Sequence, residues 1–354
     1  MEFRDPLKGR GASFNPLNRF DLIGYVKDEW DEGAEFARRP ATEFYRDASK
    51  SILVSNDSPD IPFEASLNPY RGCEHGCVYC YARPYHEYLG WSAGLDFETK
   101  IMVKEDAPEL LRRELASPRW SPKTIAMSGV TDCYQPAERR YQLTRQCLQV
   151  LAEFRNPVGI VTKNALVTRD LDVLGDLAAH QCAVVMVSIT TLHTELNRVM
   201  EPRTSLPRQR LAAIEALTQA GVPAGVMVAP VIPGLNDEEI PSILKAAYDA
   251  GARYAGYIMI RLPHAVAPLF EQWLEHHLPG KRERILNRIR SVREGKLNSA
   301  QFGDRMRGKG FHAEQICQLF QVSCRQYGFN TARSALSTAF FRRPTDMRGQ
   351  LNLF

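Results

Sequence analysis

Several things are missing from this sequence, and each absence removes a class of protein. The 354 residues contain no apolar run that could cross a bilayer, which takes about 20 positions as a helix. The opening MEFRDPLKGRGASF has no apolar core, so it does not read as a secretory signal. Cysteine is scarce, eight residues in all, too few for the disulfide scaffold of a secreted domain. Neither sign of charge dominates: the formal net charge is +4, too small to indicate a partner by itself. No short internal repeat is found. The expectation is a cytoplasmic protein in a reducing compartment, with no membrane partner. What is present is an ordinary globular balance, 44% hydrophobic and 24% charged, with ample material for a core.

Three of the eight cysteines fall within eight positions, in Asn68-Pro69-Tyr70-Arg71-Gly72-Cys73-Glu74-His75-Gly76-Cys77-Val78-Tyr79-Cys80-Tyr81. Thiolates at C-x3-C-x2-C spacing suit an iron–sulfur cluster or zinc. Gly72 and Gly76 let a tight loop turn its sulfurs inward. A [4Fe–4S] cluster normally takes four cysteines, and this loop supplies three. One iron would then be open to substrate or cofactor, as metal sites that do chemistry keep a position open. The alternative is a structural zinc knuckle with His75, His86 or Cys133 as fourth ligand.

Along the chain, residues 1–60 are polar and weakly periodic, an arm that wraps the surface or is partly disordered. Lys8-Gly9-Arg10-Gly11 reads as a flexible tail, with phosphate contact as the other reading. Ser51 to Val54 reads as a short extra strand. From residue 65, strands and helices alternate. A strand leads into the cysteine loop, and a helix follows at Asp106 to Ala116. The strand Thr124 to Asp132 leads to one long helix, Gln135 to Phe154. Pro157 to Thr162 precedes a helix at Asp170 to His180. Cys182 to Thr190 precedes helices at Thr194 to Met200 and Pro207 to Ala220. Ala224 to Val231 precedes a helix starting near Asn236, and Arg253 to Leu262 is the last strand. Six strands alternating with helices imply an α/β fold with a parallel sheet. Function in such folds collects at the carboxyl ends of the strands. Residues 266–330 form a helical extension with helices near Ala267 to Leu278, Gly280 to Arg293 and His312 to Tyr327. Residues 331–354 return to tail composition.

The string NPYRGCEHGCVYCYARPYHEYLG resembles the signature of the radical S-adenosylmethionine (radical SAM) superfamily, in the branch related to spore photoproduct lyase. The resemblance implies a partial (β/α)6 TIM-like barrel, here over residues 61–265. It implies a [4Fe–4S] cluster on Cys73, Cys77 and Cys80, S-adenosylmethionine as cofactor, and an external electron donor. In that family the open iron chelates the methionine moiety, and one electron cleaves the cofactor to methionine and a 5′-deoxyadenosyl radical. Tyr79 matches the usual aromatic position before the third cysteine. Ser128-Gly129-Val130 replaces the family's GGE segment near the cofactor ammonium, so Asp132 becomes the candidate counter-ion. Lys163 matches a lysine that contacts the cofactor carboxylate, and Glu201-Pro202-Arg203 is a second candidate clamp through Arg203. Ser188 falls at a ribose-contacting strand end, and Val231 and Ile232 fall near the adenine strip. Cys133 matches the region of a hydrogen-atom donor in the lyase. Cys147, Cys182, Cys317 and Cys324 read as core cysteines.

Two further features point to partners. Between Lys281 and Gly310 there are ten Lys or Arg and three Asp or Glu, which reads as a nucleic-acid or phosphate footprint or as a solvated helix face. The last residues, Gln350-Leu351-Asn352-Leu353-Phe354, resemble the bacterial sliding-clamp-binding pentapeptide. The favoured function is a radical SAM enzyme that abstracts a hydrogen atom from a substrate the sequence does not define; the branch resemblance, the basic segment and the tail suggest a nucleic-acid lesion. The competing one is a non-enzymatic, nucleic-acid- or clamp-associated protein with a structural metal.

Overall fold

The computed structural model describes residues 6–21, 40–331 and 336–344. Ten strands are found among them: β1 (Glu43–Arg46), β2 (Leu53–Ser55), β3 (Ala65–Leu67), β4 (Tyr70–Arg71), β5 (Lys100–Val103), β6 (Ile125–Met127), β7 (Val158–Thr162), β8 (Ala183–Ser188), β9 (Ala224–Val231) and β10 (Tyr254–Met259). Seven form one sheet in the order β10-β9-β8-β7-β6-β3-β2. Every neighbouring pair from β3 to β10 is parallel, and β2 joins the edge antiparallel. The six parallel strands follow the expected alternation and make a partial barrel. Helices cover the outer face, so the strands lie between two apolar layers and read as apolar runs. Val158, Ile160, Val185, Val187, Val226 and Val228 are completely buried. A small sheet, β1-β5-β4, was not legible because its strands are short and come from three separate segments.

The stretch Gln135 to Phe154 is not one helix. Glu138–Tyr141 and Leu143–Phe154 are separated at Gln142, whose φ is 52°. The buried Glu138 carboxylate holds the break. It accepts hydrogen bonds from the Thr144 backbone N–H (3.0 Å), the Arg169 guanidinium (2.7 Å) and the Tyr70 hydroxyl (2.5 Å). The first-turn N–H groups of the second helix thus gain an acceptor from side-chain chemistry.

The barrel is open between β2 and β10, and exposed strand edges invite aggregation. The carboxyl-terminal extension covers the β10 edge with side chains. Asn330 donates to the Ala255 carbonyl (2.9 Å) and accepts from its N–H (3.0 Å). The Arg293 guanidinium donates to the carbonyls of Met259 and Ile260 (3.2 and 2.7 Å). From the other edge, the loop between β2 and β3 reaches the same extension. Asp60 accepts from Arg305 Nε (2.7 Å) and Nη2 (2.5 Å) and from the Gly303 N–H (3.3 Å). This clasp ties the two edges together.

The Arg305 hydrogen bonds hold the Asp60 carboxyl well below the ordinary carboxylate range. A folded-state pKa below the unfolded one gives stability that is present above the unfolded value, about 4, and lost as pH falls. Asp60→Asn is expected to lower stability by about 1.5–3 kcal/mol near pH 7. In chemical denaturation across pH, the gap between wild type and variant should begin to narrow as pH falls below about 4. A gap that stays constant down to pH 3 would remove Asp60 as its source.

Residues 336–344 form a strap under the amino ends of the strands. The Ser337 N–H donates to the Gln181 carbonyl (2.8 Å), the Arg342 N–H to Phe154 (2.9 Å) and the Arg343 guanidinium to Trp120 (2.9 Å). Phe341 packs on Phe154 with ring centroids 6.3 Å apart. The expected clamp-binding segment, Gln350 to Phe354, lies outside the described residues. Among the described residues, no helix is long and apolar enough to cross a membrane.

Candidate functional site

The cysteine loop leaves β4 and turns at Gly72 and Gly76, whose φ values of 79° and 66° are left-handed, as the sequence requires. Its backbone is pinned from several sides. The Cys73 N–H donates to the Phe97 carbonyl (2.9 Å) and the Val78 N–H to Met200 (3.1 Å). Arg83, wholly buried, is its main brace. Its Nε and Nη2 donate to the Cys77 carbonyl (3.0 and 2.9 Å), and its Nη1 donates to Gly94 (2.9 Å). Its Nη2 also pairs with the buried Glu98 carboxylate at 2.5 Å. A buried guanidinium is tolerated when its donors are satisfied and a counter-ion is present.

The amino-terminal arm is fastened to the same brace. The N–H groups of Gly11 and Ala12 donate to Glu98 (3.1 and 2.8 Å), and Arg10 donates to the Glu98 carbonyl (2.9 Å). Lys8 to Gly11 is therefore not a free tail: Arg10 and Gly11 are docked, because Glu98 supplies acceptors for their donors, its backbone carbonyl for Arg10 and its buried carboxylate for Gly11. At Gly11 a Cβ would stand 1.7 Å from the Gly76 carbonyl oxygen, and at Gly94 it would stand 2.1 Å from the Phe14 carbonyl oxygen. Only glycine permits these two crossings. Gly11→Ala is expected to lift the arm from the loop and to increase the iron-release rate of loaded protein several-fold, followed by chelator challenge. Release at the wild-type rate would show that the arm does not secure the loop.

Cys73 and Cys77 are buried and Cys80 is half-buried, and all three thiols are free. Burial pushes each thiol above the ordinary cysteine range, and at Cys73 the Asp132 charge adds to this. Thiolates here call for adjacent positive metal charge. Among the described residues, no group of three His, Cys, Asp or Glu donors is arranged to hold a single ion. A four-iron cluster instead distributes its thiolates over separate irons, and three free sulfurs on one pinned loop fit that group. The alternative zinc ligands are placed elsewhere. His75 pairs with Asp132 (3.3 Å) and meets the Asn164 amide (3.1 Å). The His86 ring lies between Trp91 and Phe97, and Cys133 is fully buried in the main core.

Behind the loop lies a buried polar network that ends in Glu201. Its carboxylate accepts from Thr190 Oγ1 (2.6 Å), Asn197 Nδ2 (2.8 Å), the Tyr79 hydroxyl and Arg210, and pairs with Lys163 Nζ at 3.1 Å. Burial would raise this carboxyl. Arg210, Lys163 and the hydroxyl donors outweigh it and hold the group well below the carboxylate range. Lys163 also donates to Thr190 (2.8 Å) and to the Ala229 carbonyl (2.8 Å). Tyr79 is thus fixed by its hydroxyl as well as by its ring, which Lys163 approaches at 5.6 Å.

Several expected cofactor residues stand at the carboxyl ends of the strands. Ser128 adopts a φ of 73° after β6, and the Gly129 carbonyl accepts from the Tyr81 hydroxyl (2.8 Å). Ser188 ends β8 and Val231 ends β9, with Ile232 next; all three are buried. Asp132 is already engaged by Thr162 Oγ1 (2.8 Å) and the N–H groups of Lys163 (2.7 Å) and Tyr134 (2.9 Å), besides His75. Arg203 pairs with Glu74 of the loop at 3.0 Å. Both hold the loop's surroundings. Arg83, Glu98 and Arg210 were missed, and no pattern marks a lone charged residue as buried; the one signal was that Arg83 stands three positions after Cys80.

The basic segment is divided. Arg282 pairs with Glu275 (3.1 Å), Lys309 with Glu294 (2.8 Å) and Arg305 with Asp60, while Arg293 is buried against carbonyls. Lys281, Arg284, Arg290, Lys296 and Arg307 make no ion pair among the described residues.

A pinned three-cysteine loop at the carboxyl ends of a six-stranded partial barrel defines a class, and residues 67–247 match the family model of the radical SAM superfamily. The chain belongs to that superfamily. An uncharacterized protein of Mycobacterium tuberculosis is 39% identical over 221 residues, 62% of this chain and 65% of its own length. One from Methanocaldococcus jannaschii is 30% identical over 176 residues, 49% of this chain and 62% of its own. The chain thus spans somewhat under two thirds of these relatives. Among solved structures, spore photoproduct lyase complexed with dinucleoside spore photoproduct has a TM-score of 0.57 at 16% identity, covering 81% of this chain and 80% of that one. A variant of that lyase with bound AdoMet and dinucleoside spore photoproduct has a TM-score of 0.58 at 16% identity, with the same coverage. The likeness is one of fold.

Proposed function

We propose that the protein is a radical SAM enzyme that reductively cleaves S-adenosylmethionine and abstracts a hydrogen atom from a nucleic-acid substrate, such as a damaged base. The observation that carries the reading is the set of three free thiols on one pinned loop at the carboxyl ends of six parallel strands. Cys73, Cys77 and Cys80 would hold a [4Fe–4S] cluster, which when loaded supplies the electron that cleaves the cofactor. Ser128, Gly129, Ser188, Val231 and Ile232 are assigned to the cofactor-facing wall. Lys163 would offer its ammonium to the cofactor carboxylate while remaining paired with Glu201. Asp132 and Arg203 are assigned to positioning the loop. Cys133, buried in the core, is given no part in the reaction.

The nucleic-acid substrate is supported by the unpaired cations of the extension and by the dinucleoside named with the lyase of similar fold. The decisive experiment is anaerobic. Iron-loaded protein, S-adenosylmethionine and dithionite, standing in for the external donor, should yield 5′-deoxyadenosine and methionine in equal amounts. Deuterium from a labelled substrate should pass into the deoxyadenosine. A colourless, zinc-loaded protein that leaves the cofactor intact would overturn the enzyme reading in favour of a structural metal.

A further inference from the structure

The cysteine loop continues into the 3-10 helix Arg83–Leu89, and this segment turns aromatic rings outward. Tyr85 is 56% exposed and Tyr88 67%. Their centroids are 6.5 Å apart, and Phe20 of the arm, 51% exposed, lies 5.0 Å from Tyr88. The row reaches the barrel mouth at Tyr81, directly after Cys80. The Arg261 guanidinium lies 4.6 Å over the Tyr81 ring. Near enough to Arg261 to repel its charge, Arg305 lies 4.7 Å over the ring of Phe302, which is 57% exposed.

Exposed rings of this size seldom gather without a reason. Guanidinium groups interleave with them. Arg19 lies 4.7 Å over Phe20 and is paired with Glu87, and Arg305 is paired with Asp60. Arg261 differs. It follows β10 at the carboxyl end of the barrel, is half-buried, and has no carboxylate or hydrogen-bond partner among the described residues. Burial lowers its pKa from the ordinary arginine value, and the neighbouring Arg305 charge adds to this, against the more distant Asp60. A cation left in that state at a site's entrance suits an anionic group of an incoming ligand.

We infer that this row, running from Phe20 through Tyr88 and Tyr85 to Tyr81 and Arg261, is a track for single-stranded nucleic acid that leads an unstacked base to the barrel mouth. The inference rests on the nucleic-acid reading above and names the surface and the strandedness. Rings spaced along a groove with occasional cations are what sequence-tolerant single-strand binding uses, since every base has a face to stack. A duplex keeps its base faces stacked internally and cannot use exposed rings in this way. With Arg261 the one cation of the row that makes no ion pair among the described residues, stacking rather than charge should dominate. The salt dependence should then be shallow, a log–log slope of about −0.7 to −1.4 for one or two phosphates.

The test measures fluorescence anisotropy of labelled oligodeoxythymidine of about twelve nucleotides and of a duplex of equal length, with the full-length iron-loaded protein and no reductant. Wild type should prefer the single strand. The double variant Tyr85→Ala with Tyr88→Ala should bind it about 10- to 100-fold more weakly, and the corresponding double Phe variant should bind as wild type. Arg261→Ala should flatten the salt slope. Equal affinity for both strand forms, unchanged binding by the Ala variant at wild-type iron content, or no binding by wild type at low salt would each overturn the track. Loss of iron from the Ala variant would itself contradict the outward placement of these rings. The outcome is separate from the enzyme reading. A protein that cleaves S-adenosylmethionine and ignores the oligonucleotide refutes the track alone, and one that binds the strand without cleaving the cofactor refutes the enzyme alone.

Discussion

Changing Cys73, Cys77 or Cys80 singly to alanine should leave protein purified without air free of the roughly four irons and four sulfides of a [4Fe–4S] cluster. The loop supplies three sulfurs, so no spare thiolate can replace a lost one; the other five cysteines sit in different parts of the fold. Cys133, Cys147, Cys182 and Cys324 are buried in the main core, and Cys317 lies on the carboxyl-terminal helix Phe311–Tyr327. Alanine at Cys147 or Cys182 should therefore cost stability by leaving a small cavity and leave the iron content intact. The measurement is iron and sulfide per chain, with the visible absorbance of the cluster. A Cys77→Ala protein with a full complement of iron would end the assignment, and with it the proposed reaction.

Glu201→Ala should be the most damaging change outside the loop. The carboxylate is wholly buried and is the counter-ion of Arg210, which is equally buried. Removing one member of a buried pair leaves the other charged and unmatched, at a cost of about 3–5 kcal/mol. The Lys163 ammonium and the Tyr79 hydroxyl lose their partner at the same time. Urea denaturation should show the loss. Glu201→Gln, which keeps the size and an acceptor, should lose less. Because the folded-state carboxyl lies below its unfolded value of about 4.3, its contribution is complete above that pH and fades as pH falls. The difference between wild type and the Gln variant should therefore shrink in acid. An Ala variant as stable as wild type would show that Arg210 finds other acceptors.

What could be read from the sequence follows a physical division. The cysteine loop was legible because its chemistry is local: ligand atoms and turning glycines lie within a few positions. Strands were legible where burial on both faces leaves a plain apolar run. Ala224 to Val231 is found with the expected limits. The break at Gln142 was not, because Glu138 is held by Tyr70 and Arg169, residues remote in sequence. The same holds for charge. Counting arginines between 281 and 310 gives their number, whereas their pairing depends on Asp60 and Glu275, which only the fold brings near. Asp132 was read as facing a cofactor because it ends a strand and carries a charge, and Arg203 because a guanidinium suits a carboxylate. Here His75 and Glu74 of the loop itself reach them first.

The strap of residues 336–344 has a spatial consequence. It lies under the amino ends of the strands, so the chain passes Pro344 on the face opposite the cysteine loop. A β-strand of five residues, such as β7, is roughly 16 Å long, and that thickness of sheet separates the two faces. A change at Phe341 or Arg342 would therefore be felt first at the amino ends of the strands, a strand's length away from the thiols of the loop.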